Sequence, residues 1–221
     1  MQKKTIEATG LKDEISQFKK RRIQEEACHL FYELGYERTT IEAIAEKLEV
    51  TKPFIYGYYK NKSQLLYEVC HTGIALSLEA FDRIEESNDG IVDNLRQLVI
   101  QVTEIIIRYQ EYIVVYEREE KNLDSTEART IREQRSLFDH RLARLLEKGV
   151  EEGKFSTKDA GLTAKTISGM MTWVSFWYVP GGKWTNLDIV NHVLEMIFSL
   201  LAIGRRQKKA AKITAIDGGA V

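Results

Sequence analysis

The sequence is poor in the residues that interrupt or cross-link a fold. It has 2 prolines in 221 residues, which leaves long helices free to run, because proline removes a backbone donor and breaks a helix interior. Two cysteines, Cys28 and Cys70, are too few for a disulfide framework and lack the CxxC spacing of a metal site. Each sits inside an apolar helical pattern, as a buried free thiol does. No run approaches the roughly 18 apolar residues of a membrane span. The opening Met1-Gln2-Lys3-Lys4 leads into polar sequence, not the apolar core of a signal peptide. A cytoplasmic, soluble protein with no membrane partner is expected. An excess of one charge is missing too: 32 Lys and Arg stand against 33 Asp and Glu, for a net charge of -1 and a pI near 6.5. That excludes a uniformly basic nucleic-acid binder, so any positive potential must be local. Catalytic signatures are also absent. His29, His71, His140 and His192 show no HExxH spacing, and there is no Gly-rich phosphate loop and no GxSxG. The chain reads as a protein that is not an enzyme, with no metal and no cofactor.

What is present is helical periodicity. Hydrophobic residues make up 43% and charged residues 29%, a balance suited to a helical body with a sizeable core. Residues 1–11 show no period and are expected as a loose tail. From Glu14 onward Ile23, Ala27, Leu30, Phe31 and Leu34 recur on one face, and Gly35 stops the helix. Thr40 then caps a short helix with Ile41, Ile44, Ala45 and Leu48 inward. Thr51 and Pro53 open another, from which Ile55 and Tyr59 point inward. Asn61 is an N-cap for a longer helix through Leu65, Leu66, Val69 and Cys70 toward Ile84. Ser87-Asn88-Asp89-Gly90 is a turn cluster. Beyond it lie an apolar helix through Tyr109, and Tyr112-Ile113-Val114-Val115-Tyr116, read as buried helix because no partner strand is visible. A charged helix to Gly153, one from Asp159 to about Tyr178, and a last one from Thr185 or Asn186 to about Ile203 complete the chain. The class is all-α with about nine helices. The expected division is 1–60 for an N-terminal tail and helix-turn-helix, 61–206 for a second helical domain, and 207–221 for a flexible tail.

The stretch from Thr39 to Lys62 carries the chemistry. Two short helices around a tight turn, the second bearing aromatics and lysines, suit a helix-turn-helix that enters a DNA major groove. Thr40 and Thr51 offer hydroxyls and free N–H groups at helix starts. Lys52, Lys60 and Lys62 offer charge, Tyr56 and Tyr58 phenol hydroxyls, and Pro53 and Phe54 apolar contact with a thymine methyl. The local charge excess is small, with 12 Lys and Arg against 10 Asp and Glu over residues 1–66, so placement matters more than sum.

Residues 23–69 closely resemble the DNA-binding domain of the TetR family of transcriptional regulators. The matching features are Gly35-Tyr36, Thr39-Thr40-Ile41, Ile44-Ala45 before Leu48, Val50-Thr51-Lys52, Ile55-Tyr56-Gly57-Tyr58-Tyr59, Asn61-Lys62 and Leu65-Leu66. The resemblance implies a homodimer on a palindromic duplex operator. Thr40, Thr51, Tyr56, Tyr58 and Lys62 match phosphate-contacting places, and Lys52, Pro53, Phe54 and Gly57 match base-facing ones. Phe54 and Gly57 depart from the family's usual residues. A glycine inside this helix would lower its stability by roughly 1 kcal/mol, so the helix is expected to firm up on DNA.

The remainder suggests a ligand-binding and dimerising body. Val102, Ile106, Tyr109, Tyr112, Tyr116, Phe138, Met170, Trp173 and Trp177 are the candidates for an apolar pocket. Arg118 and Arg141 are rim candidates among Arg108, Arg129, Arg132, Arg135 and Arg144. Phe176, Val190, Val193, Leu194, Ile197, Phe198 and Leu201 are the expected dimer seam. Glu117-Arg118, Asn122-Leu123, Arg129-Thr130-Ile131-Arg132 with Arg135, Gly149, Glu152-Gly153-Lys154-Phe155 and Trp177-Tyr178-Val179-Pro180-Gly181-Gly182 resemble one TetR subgroup. Its members include regulators of fatty-acid, steroid and aromatic-acid breakdown that respond to acyl-CoA thioesters. The resemblance implies a repressor released by a CoA thioester. A sensor of hydrophobic drugs remains the alternative.

Overall fold

The structure, a computed structural model, describes residues 2–87 and 89–203, with side chains described from residue 12 onward. Among the described residues there are nine α-helices and no strand. They are α1 (Gln2–Leu34), α2 (Ile41–Lys47), α3 (Lys52–Tyr56), α4 (Lys62–Glu85), α5 (Ile91–Arg108), α6 (Gln110–Glu119), α7 (Ser125–Glu151), α8 (Ala160–Trp177) and α9 (Asn186–Leu200). No helix among these residues is long and apolar enough to cross a membrane.

The first helix corrects the expectation of a loose N-terminal tail, because its backbone is helical from Gln2. The isolated Gly10 weakens a helix by about 1 kcal/mol, which is too little to stop one that favourable neighbours extend on both sides. The expected flexible tail at 207–221 and the turn residue Asn88 lie outside the described residues.

Local chemistry sets most other ends. Gly35 sits at φ 81° and its N–H returns to the Phe31 carbonyl at 3.0 Å, a left-handed cap for which glycine is best suited. The Thr40 hydroxyl accepts from Ala43 N–H at 3.1 Å to start α2. Asn61 Oδ1 accepts from Gln64 N–H at 2.7 Å ahead of α4. Asp159 caps α8 by accepting from Leu162 N–H, and Thr185 with Asp188 forms a reciprocal capping box on α9. The run Tyr112–Tyr116 is helical, with Val114, Val115 and Tyr116 buried in α6.

Two compact units do not follow chain order. One is Met1–Gly73 with Gln110–Ile131, and the other is Ile74–Tyr109 with Arg132–Val221. Helices α4 and α7 therefore each supply residues to both. In the first unit Ile23, Ala27, Cys28, Phe31, Ile44, Ile55, Tyr59, Leu65 and Leu66 form the core. Helix α6 packs on α1, and Glu119 Oε1 accepts from Tyr36 N–H at 3.2 Å. In the second, α5 packs against α8 and α9. Its core draws on Leu95, Leu98, Val99, Phe81, Leu142, Ile167 and Ile197.

Candidate nucleic-acid interface and helical body

The α2–α3 pair is held so that its outer surface stays free. Buried Thr39 donates its hydroxyl toward the Leu30 and Gly35 carbonyls at 3.1 and 2.9 Å, which ties the loop to the end of α1. Between α2 and α3 the chain turns through Glu49 at φ 54°, and Val50 N–H reaches the Ala45 carbonyl at 2.9 Å. Ile55 and Tyr59 are the buried anchors. The Tyr59 hydroxyl donates to the Lys20 carbonyl at 3.1 Å, and burial pushes its phenol pKa well up.

All nine residues expected to meet DNA lie in the first unit and none is buried. Thr40, Thr51, Lys52, Pro53, Tyr56 and Gly57 are exposed, and Phe54, Tyr58 and Lys62 are half-buried. The rings of Phe54 and Tyr58 meet at 5.4 Å, and Lys19 Nζ lies 5.7 Å from the Phe54 centroid. Lys52 is salt-bridged to Glu42, and that hydrogen bond holds the Glu42 carboxyl below its ordinary range. Lys62 does two jobs. Its Nζ donates to the Tyr36 and Thr39 carbonyls, both at 2.9 Å, and stands 4.1 Å from the centroid of the Tyr36 ring. Its charge is therefore fixed at the start of α4.

Gly57 corrects the picture of a glycine inside the recognition helix. Helix α3 is 5 residues long and Gly57 is its C-cap, at φ -68° and ψ -18°. Its N–H bonds the Pro53 and Phe54 carbonyls at 3.0 and 3.2 Å. The helix-propensity penalty for a mid-helix glycine therefore does not apply there.

Lys19 was not among the residues expected at this surface, although it borders Phe54. It helps line a cleft of about 280 Å³ with Phe18, Arg22, Ile23, Lys47, Leu48, Glu49, Val50 and Phe54. The legible signal was the spacing of Lys12, Ile15, Lys19 and Arg22 on one helical face.

The residues expected to line a pocket are divided between the units. Tyr112, Tyr116 and Arg118 belong to the first, and Val102, Ile106, Tyr109, Phe138, Arg141, Met170, Trp173 and Trp177 to the second. Arg118 donates to the Tyr32 carbonyl at 3.3 Å and lies over the Tyr32 ring. In the second unit Val102, Ile106 and Phe138 are buried, Met170 is half-buried, and Trp173 and Trp177 are 62% and 41% exposed. Arg141 is 9% exposed. It donates to Asp82 at 2.8 Å and to both Glu85 oxygens at 3.2 and 2.8 Å. Its guanidinium stacks 4.5 Å from the Phe81 centroid, and Phe81 meets Phe138 edge-on. Burial pulls the Arg141 pKa down, but the hydrogen bonds to Glu85 and Asp82 outweigh it and leave it raised. Its charge is already met by two carboxylates.

The expected dimer seam also sorts itself. Val190, Val193, Leu194, Ile197 and Leu201 are buried within the chain itself, because the inner stripe of α9 packs on α5 and α8. Phe198 is half-buried under Arg96. Phe176 stays exposed, together with Leu162, Trp173, Trp177, Leu187, Met196 and Leu200. These are the apolar side chains that α8 and α9 offer outward. No group of His, Cys, Asp and Glu that could hold a metal ion occurs among the described residues.

Comparison with known proteins matches both parts of the chain. A family model described as bacterial regulatory proteins, tetR family, covers residues 23–69. Another, described as the tetracyclin repressor-like C-terminal domain, covers residues 88–201. The HTH-type transcriptional repressor KstR2 of Mycolicibacterium smegmatis is 26% identical over 192 residues, covering 83% of this chain and 91% of that one. Among solved structures, the TetR family transcriptional regulator PfmR from Thermus thermophilus is 25% identical with a TM-score of 0.72. It covers 80% of this chain and 96% of its own. AibR, solved in complex with isovaleryl coenzyme A and operator DNA, has a TM-score of 0.70 at 24% identity, covering 81% of this chain and 98% of its own.

Proposed function

This chain belongs to the TetR family of bacterial regulatory proteins, and we propose that it is a homodimeric repressor released from a palindromic operator by a CoA thioester. Membership makes it a DNA-binding transcriptional regulator and not an enzyme. The observation that carries the DNA-reading site is the grouping of nine unburied residues on α2, α3 and the start of α4. In this reading Thr40, Thr51, Tyr56, Tyr58 and Lys62 hold phosphates, and Lys52, Pro53, Phe54 and Gly57 face base edges. Lys52 exchanges Glu42 for DNA. Residues 1–60 serve DNA binding, and 61–206 serve ligand binding and dimerisation. The dimer forms through the outward apolar side chains of α8 and α9, with Phe176 and Trp173 stacked at 5.1 Å among them.

The ligand class rests on chemistry. Half-buried Tyr109 and Met170 offer apolar and aromatic surface for an acyl group, with Val102, Ile106 and Phe138 in the core of the same unit, and Arg108 and Arg144 stand exposed for phosphates. AibR, a neighbour of similar fold, was solved with isovaleryl coenzyme A, which supports the ligand class and not the release step. Release works through α4, which begins at Lys62 beside the DNA-reading residues and ends at Glu85 on Arg141. A ligand shifts operator affinity only by its differential affinity for the two states of that helix. A sensor of uncharged hydrophobic compounds is the second reading, and the pairing of Arg141 with Asp82 and Glu85 favours it.

The test starts from a duplex that the full chain selects out of a random-sequence pool. Isovaleryl-CoA and longer acyl-CoAs should lower operator affinity at least tenfold, while free CoA should not. Operator affinity unchanged at saturating acyl-CoA would reject the thioester reading and leave the second one standing.

A further inference from the structure

The part of α1 that precedes Ile23 lies outside the segment matched by the DNA-binding family model, which begins at residue 23. Lys12, Ile15, Lys19 and Arg22 recur there at i, i+3, i+7 and i+10, and Phe18 borders the same face. All five are exposed. Ile15 and Phe18 are 45% and 54% exposed, so two large apolar side chains stand in the open among three cations. A purely solvated helix face would carry mixed charge instead.

The stripe is continuous with the DNA-reading surface. Lys19 Nζ stands 5.7 Å from the ring centroid of Phe54, a base-facing residue of α3. The cleft of about 280 Å³ between this face and the α2–α3 turn is walled by Lys19, Arg22 and Lys47 against a single carboxylate, Glu49. Arg22 is held by an exposed pair with Glu25 at 3.0 Å, the kind of surface ion pair that contributes little and exchanges readily for a phosphate. The chain as a whole is charged -1, so this local excess of cations is a placed feature.

We propose that the Lys12–Arg22 face of α1 is a second DNA-contacting element, which seats the sugar–phosphate backbone against Lys12, Lys19, Arg22 and Lys47 and extends the footprint beyond the α3 contacts. Phe18 and Ile15 pack on deoxyribose, which is apolar on its exposed edges. Backbone contacts of this kind add affinity and fix orientation without reading sequence. The inference rests on the reading of α2–α3 as the operator-binding helices.

The experiment uses the full chain and the duplex it selects from a random-sequence pool. Wild type is compared with K12A/K19A/R22A, and with K158A as a charge-removing control, since Lys158 is exposed and belongs to the second unit. Removing one phosphate contact reduces the slope of log affinity against log salt by about 0.9. The triple variant should therefore show a slope smaller by about 2 to 3, bind at least tenfold more weakly, and protect a shorter stretch in hydroxyl-radical footprinting. K158A should match wild type. An unchanged slope and footprint in the triple variant overturns the proposal. So does an altered oligomeric state at unchanged DNA affinity, which would assign the stripe to a second copy of the chain. Failure of the wild type to select any duplex would instead strike the operator-binding reading itself. All three positions are exposed, and a circular-dichroism spectrum equal to wild type confirms that the variant folds.

Discussion

Replacing Gly149 by alanine sets helix propensity against packing, and the two predict opposite signs. Gly149 lies inside α7, where alanine would add about 1 kcal/mol of helix stability if nothing else were near. The structure puts the Phe155 ring against it. A Cβ built at Gly149 would stand 2.0 Å from Phe155 Cδ2 and 2.2 Å from Cε2. The ring cannot simply swing aside, because the Gly149 carbonyl accepts from both Lys154 N–H at 2.8 Å and Phe155 N–H at 3.0 Å. The backbone that carries Phe155 is thus pinned to the residue it packs on. Phe155 is 2% exposed, so forcing the ring outward gives up a buried aromatic, whose complete removal costs about 3–5 kcal/mol. Overpacking with partial relaxation costs about 1–3 kcal/mol. An approach of 2.0 Å puts the overpacking cost in the upper part of that range, about 2–3 kcal/mol, so after the propensity gain is subtracted Gly149→Ala should destabilise the protein by about 1–2 kcal/mol. Urea unfolding at fixed protein concentration measures it, since the stability of the proposed dimer would depend on concentration. In a Phe155→Ala background the same change should stabilise by about 1 kcal/mol, because the clash is gone and only propensity remains. A neutral or stabilising Gly149→Ala in the otherwise native chain would refute the argument.

Two further outcomes follow from the proposed DNA-reading surface and from the thiols. Tyr56 is 51% exposed and is proposed to hold a phosphate, so Tyr56→Ala should weaken operator binding several-fold with the oligomeric state and the urea midpoint unchanged. Lys62→Ala should weaken binding too, but should also lower the midpoint, because the Tyr36 and Thr39 carbonyls lose their donor. Equal midpoints for the two variants would contradict the bridging role. Burial, followed by nearby carboxylates, pushes the Cys28 and Cys70 thiols well above their ordinary pKa of 9.0. Above about that pH the unfolded chain has released thiol protons that the folded one keeps, so their contribution is full below it and falls as pH rises. Cys28→Ala/Cys70→Ala should flatten the decline in urea midpoint between about pH 8 and 10, and in the native chain neither thiol should react with iodoacetamide at about pH 8. An unflattened decline would remove the thiols as its cause.

The sequence determined the helices and most of their ends, because those depend on interactions a few residues apart. Gly35, Thr40, Asn61, Asp159 and Thr185 each act on backbone groups within four residues, and apolar spacing shows which side of a helix turns inward. The residues proposed to read DNA cluster for the same reason, since all nine fall within residues 40–62 on consecutive short elements. Tertiary structure decided what depends on helices meeting. The spacing of Arg141 gives no hint that its charge is met by Asp82 and Glu85, more than fifty residues away in the chain. Nor does composition show that the inner stripe of α9 is covered within one chain, leaving Phe176 and Trp173 outward. Gly57 looks like a helix interior until the turn into Tyr58 and Tyr59 makes it the cap. Gly57 is decided by local backbone bonds to Pro53 and Phe54, whereas Arg141 and the α9 stripe share one physical reason. A side chain's apolar or charged character is fixed by its type, but the partner that satisfies it is chosen by the packing of distant helices.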